Sequence, residues 1–150
     1  MPMPRGLMPF HLAIPVHDLE ACRRFYRDIM GFAEGRSAAT WVDFDFYGHQ
    51  FVIHLQAGMD GGYRHQARNS VDGREVPLPH FGVVLDWHDW EALAANLTRQ
   101  DLEFIIEPHI RFQGMVGEQA TMFFLDPAGN ALEFKAFKDL GQLFAKQARA

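Results

Sequence analysis

The sequence predicts an α+β fold built from two tandem β-α-β-β-β modules, with helices on the outside of a cupped mixed sheet. Two observations carry this. The helix starts HDLEA (17–21) and HDWEA (88–92) are nearly identical, and an apolar strand pattern precedes each, FHLAIPV (10–16) and HFGVVL (80–85). Three short strand patterns then follow each helix, so one order of elements is written twice.

In the first module, Leu12, Ile14 and Val16 alternate with His11, Ala13 and Pro15. That period of two reads as a strand. Asp18 is placed to cap a helix whose apolar stripe is Leu19, Cys22, Phe25, Tyr26, Ile29 and Met30, and Gly31 ends it. Strands are expected near 32–36, 40–46 and 50–56, with Gly48-His49 turning between the last two. Residues 57–79 are rich in Gly, Asp, Asn and Arg and read as a linker, or as a flap carrying Tyr63, Arg64 and His65. In the second module HFGVVLDW reads as a strand and HDWEALAANLTRQ as a helix. LEFIIE, QATMFFL and NALEFKAF read as strands, and the tail 138–149 as a short amphipathic helix. The boundaries are therefore about 9–56, 57–79, 80–137 and 138–150, within one domain whose halves share a core.

Composition narrows the function. The 150 residues carry a formal net charge of -5, which argues against a nucleic-acid partner. No apolar run approaches the ~18 residues needed to span a bilayer. The first ten residues lack the apolar stretch of a signal peptide. The single cysteine, Cys22, forbids an intramolecular disulfide and reads as core packing. A cytoplasmic protein with a small-molecule substrate is expected.

Eight histidines are the chemical clue. Aligned strand by strand, His11 matches His80, and His54 matches Glu133. Each of these, taken singly, reads first as a hydrogen-bonded core or surface residue rather than a ligand. Their joint placement at repeat-equivalent positions suits a shared divalent-metal site. Two histidines and one carboxylate with open positions suit non-haem Fe(II); a fourth ligand suits Mn, Co, Ni or Zn. Arg111 and Gln119 flank the seventh strand, in RFQGMVGEQATMF; Arg111 reads first as a solvated surface residue and, as the alternative, as a clamp for a substrate carboxylate. His49 reads as a turn residue, and Trp41, Trp87 and Trp90 as packing.

The doubled module resembles the vicinal-oxygen-chelate superfamily, which includes glyoxalase I, extradiol dioxygenases, epimerases, fosfomycin-modifying enzymes and bleomycin-binding proteins. FHLAIPVHDLEACRRFYRDIMGF, PHFGVVL and FFLDPAGNALEFKAF carry the resemblance, which spans residues 9–137. It implies metal ligands at His11, His80 and Glu133, with His54 at the fourth-strand position as acid–base residue or fourth ligand. It also implies a homodimer. The His, His, Glu set with a nearby His resembles extradiol dioxygenases, which implies Fe(II) and ring cleavage. Those enzymes usually carry a Tyr in the seventh strand, where this chain has Met122-Phe123-Phe124. The alternatives are glyoxalase- or epimerase-type chemistry, with the metal as Lewis acid, and a non-enzymatic protein that sequesters a drug.

Overall fold

A computed structural model describes residues 6–58, 67–71 and 73–146. The chain divides into two compact units, Met1–Gly62 and Tyr63–Ala150. Among the described residues no helix is long and apolar enough to cross a membrane.

The first unit holds β1 (His11–Val16), α1 (Leu19–Arg24), β2 (Glu34–Ala38), β3 (Trp41–Phe46) and β4 (His49–Leu55). The sheet order is β1-β4-β3-β2, with β1 parallel to β4 and the rest antiparallel. Asp18 caps α1 as expected, its Oδ1 accepting from the Ala21 N–H at 3.0 Å. The helix then loosens into a π-type turn over Phe25–Ile29, which carries Phe25 and Tyr26 into the core. Tyr26 packs edge-on against Phe51 at 4.8 Å, and Phe32 lies 4.7 Å from Phe46. Each such ring withdrawn from water contributes roughly 1.5–3 kcal/mol, so this aromatic cluster holds helix to sheet.

The second unit repeats the order. After a hairpin of β5 (Ala67–Val71) and β6 (Arg74–Leu78) come β7 (His80–Phe81), β8 (Val84–Leu85), α2 (Trp87–Arg99), β9 (Phe104–Arg111), β10 (Gln119–Leu125) and β11 (Ala131–Phe137). The sheet runs β7-β11-β10-β9, the same topology as the first, with β8 also on β11. Phe124, Phe134, Leu132 and Met122 are fully buried with Trp90, Leu93 and Leu97 of α2. The Trp90 indole N–H donates to the Phe134 carbonyl at 2.9 Å.

Four expectations are corrected. The 57–79 segment is not simply irregular: its second part forms the β5–β6 hairpin, packed through Val76 on Ile106 and Phe123. Tyr63, Arg64 and His65 lie outside the described residues. The strand expected over 80–87 is two short pieces, broken at Gly82 and Val83. The helix α2 starts one residue early because Asp86, not a residue of the HDWEA motif, caps it through the Asp89 N–H at 2.8 Å. The tail, described to residue 146, makes only a single 3-10 turn, Leu140–Gln142.

Candidate metal centre

Strand pairing decides which side chains share a face, because successive residues alternate sides. In the second unit Phe123 pairs with Glu133, and Thr121 with both Lys135 and His109. His80 pairs with Ala131. One face therefore carries His80, Glu133, Lys135, Thr121, Phe123, His109 and Arg111. The opposite face, with Met122, Phe124, Leu132 and Phe134, is the one buried with α2.

On the polar face His80 and Glu133 meet. The His80 Nε2 lies 3.4 Å from Glu133 Oε1. The Pro77 carbonyl, which can only accept, lies 2.9 Å from His80 Nδ1. The proton is thereby placed on Nδ1, and Nε2 is turned to the carboxylate. The other oxygen of Glu133 is held by the Thr121 hydroxyl, which donates at 2.7 Å. Lys135 Nζ stands 4.0 Å from Oε1, and the Phe123 ring meets the His80 ring edge-on at 4.7 Å. The Glu133 side chain is only 12 % exposed. The carboxylate that stands alone in an apolar strand of the sequence is thus a partly buried, oriented group.

Two sequence features make this geometry. The DPAGN turn fixes where β11 begins: buried Asp126 Oδ1 accepts from the Ala128 and Asn130 N–H groups, both at 2.9 Å, and Oδ2 from the Asn130 amide at 2.9 Å. Gly82 then lets the strands close. A Cβ there would collide with the backbone carbonyl of Glu133.

In the first unit His11 pairs with Gln50 and lies on the face of Ala13, Pro15, Asp43 and His54. Its Nδ1 is 2.8 Å from Gln50 Oε1, and the Gln50 amide lies 3.4 Å from Asp43 Oδ2. Donation from Nδ1–H to the amide oxygen leaves the Nε2 lone pair of His11 for another partner, as in His80. His49 starts β4 and accepts from the Phe10 N–H at 2.8 Å, a structural role.

The register corrects the repeat alignment. His54 sits opposite Pro15, four residues beyond the His11 row, and is exposed. Four residues of strand span roughly 13 Å, and strand side chains stand nearly perpendicular to the sheet. His54 is thus remote from the His11 ring. Counted from the two histidines, the register counterpart of His54 is Lys135, and that of Glu133 is Val52. Gln50 and Thr121, not singled out in the sequence, are the groups that orient His11 and Glu133. The two expected substrate residues, Arg111 and Gln119, pair with each other on the polar face, but Gln119 is buried and its amide donates to the Gly117 carbonyl at 3.3 Å, holding the preceding loop.

Within either unit, no three described His, Cys, Asp or Glu side chains cluster at metal-binding spacing; the second unit offers the His80–Glu133 pair. That pair fits a cation. Two donors each roughly 2.1 Å from one ion, at tetrahedral or octahedral angles, stand about 3.0–3.4 Å apart. Both are also held from behind by hydrogen bonds, as ligands commonly are.

Comparison with known proteins agrees with the fold. A solved structure described as a glyoxalase/bleomycin resistance protein/dioxygenase from Alicyclobacillus acidocaldarius is 29 % identical, with a TM-score of 0.73 over 96 % of this chain and all of that one. Two others share the fold at lower identity. A lactoylglutathione lyase from Agrobacterium tumefaciens is 18 % identical (TM-score 0.62, 95 % of this chain, 98 % of that one). A fosfomycin resistance protein from Listeria monocytogenes is 17 % identical (TM-score 0.61, 92 % and 97 %). No curated protein sequence matches. The family model for the Glyoxalase/Bleomycin resistance protein/Dioxygenase superfamily matches residues 9–134, and the chain belongs to that superfamily.

Proposed function

We propose that the chain is a divalent-metal enzyme acting on a small substrate that chelates through two neighbouring oxygens, with ring-cleaving dioxygenase-type oxygenation as the first reading. One observation carries it: the His80 Nε2 faces Glu133 Oε1 at 3.4 Å, each side chain fixed from behind by a hydrogen bond. His80 and Glu133 are two ligands. His11, with its Nδ1 tied to Gln50, is assigned the third on its chemistry and its place in the repeat. His54 is left out of the set because its register separates it from His11. Fe(II) bound by such a set supplies Lewis acidity, redox chemistry and open positions; Mn, Co, Ni or Zn supplies the Lewis acidity alone.

The rest falls to the chain's own residues. Thr121 and Pro77 hold the ligand atoms in place, which spares reorganisation during the reaction. Lys135 offsets the carboxylate charge at one side. The Phe123 ring covers one side of His80. Arg111, on the same face, orients the substrate. A homodimer is part of the reading, as the resemblance implies.

A second reading, glyoxalase- or epimerase-type proton transfer, is favoured by one residue. Phe123 stands on the site face in the seventh strand of the repeat, where dioxygenases usually carry a phenol. Oxygen uptake separates the two. Fe(II)-loaded protein given catechol consumes oxygen in step with substrate under the first reading. No uptake, together with turnover of the methylglyoxal–glutathione hemithioacetal by Ni- or Zn-loaded protein, supports the second. Neither reaction with any of these ions overturns both.

A further inference from the structure

The polar face of the second unit extends past the metal centre. A cleft of about 540 Å³ runs along β9, walled by Arg74, Glu107, His109, Arg111 and Phe112. His109 and Arg111 are two residues apart on one regular stretch of strand, paired with Thr121 and Gln119, so they stand side by side. Arg74 reaches in from β6, its guanidinium donating to the Ile105 carbonyl at 3.4 Å. The hairpin is seated there by Val76 on Ile106 and Phe123. Arg111 is half-buried, and its guanidinium lies 4.8 Å over the Phe112 ring.

We propose that this cleft binds a small-molecule oxyanion, a carboxylate or a phosphate. Two permanently charged guanidinium groups face one carboxylate, Glu107, so the described walls carry net positive charge. A planar guanidinium presents paired donors that match an oxyanion. Arg111 is the more sheltered of the two guanidinium groups and Arg74 the exposed one, so the forked donors rather than dehydration supply the grip. Thr121 pairs with His109 on one side and holds Glu133 on the other, so the cleft adjoins the metal pair across a single strand. That the oxyanion is an arm of the substrate rests on the metal-enzyme reading; binding itself rests on the cleft alone.

The test uses full-length protein stripped of metal with chelator, so it is independent of that reading. Inorganic phosphate and malonate are titrated separately, following amide NMR shifts. Saturable shifts at Arg74, Arg111 and Phe112 are expected for at least one probe, and whichever binds names the source. The Arg74→Gln/Arg111→Gln double variant should lose at least tenfold in affinity. Arg111→Lys, which keeps the charge without the fork, should fall between. Absence of saturable binding by both probes, or equal binding by a folded double variant, overturns the proposal.

Discussion

His80 and Glu133 face each other across parallel strands with Nε2 and Oε1 3.4 Å apart, while Pro77 and Thr121 hold their far sides. With its proton committed to the Pro77 carbonyl, Nε2 presents a lone pair to an anionic oxygen. A second proton on the imidazole or a metal cation between the two atoms satisfies them at that distance. The proposed function takes the pair as two metal ligands, the third being His11.

The hydroxyl behind Glu133 should matter almost as much as the ligand. Thr121→Val keeps shape and removes the 2.7 Å hydrogen bond. Metal affinity should fall about 10–100-fold with the fold intact. Competition against a chelator of known affinity measures it, and unchanged affinity would make Thr121 a mere packing residue.

Gly82→Ala should destabilise the second unit. Its new Cβ meets the Glu133 carbonyl, so the strands must part. Overpacking of this kind costs about 1–3 kcal/mol. A urea midpoint equal to that of the natural chain would show that β7 and β8 move aside freely.

The Asp126 turn carries a comparable load. Three donors converge on its buried carboxylate. Asp126→Ala leaves them without an acceptor and should cost about 2–3 kcal/mol. Asp126→Asn, which keeps one carbonyl oxygen, should cost less, and equal losses would mean that the charge is what counts.

Acid sensitivity should come partly from Glu34. Hydrogen bonds from the Arg23 guanidinium, at 2.8 and 2.6 Å, hold the Glu34 carboxyl below its ordinary range; burial opposes this only in part. A carboxyl depressed on folding binds protons more weakly in the native state. Its contribution is present above the ordinary carboxylate pKa and is lost as pH falls through the folded value. Denaturation midpoints followed from neutral pH downward should fall less steeply in Glu34→Gln. Added salt should narrow the difference, because the pair is partly exposed.

Much of this was legible in the sequence. The doubled element order is read from HDLEA and HDWEA, and Asp18 caps the first helix as its position suggests. His80 and Glu133, 53 residues apart in the chain, come together because each sits on the outward face of a strand whose other face is apolar. The register was not legible. Apolar alternation repeats every two residues, so Ile53-Leu55 aligns with Leu132-Phe134 as well as a frame shifted by two. Hydrogen-bonded pairing, absent from the pattern, sets His54 against Lys135 instead. The β5–β6 hairpin was hidden for a related reason. Only Val76 and Pro77 are buried among its residues with described side chains, too few to print a strand period in a polar segment.

The most direct test is metal content. Chelator-stripped protein is reloaded with Fe(II), Mn(II), Co(II), Ni(II) or Zn(II) in separate samples, freed of unbound ion, and analysed by mass spectrometry beside Glu133→Ala and His80→Ala. The account expects about one ion per chain in the natural protein for at least one metal. It expects little or none in either variant, with circular dichroism unchanged. Full metal retention by folded Glu133→Ala would contradict it.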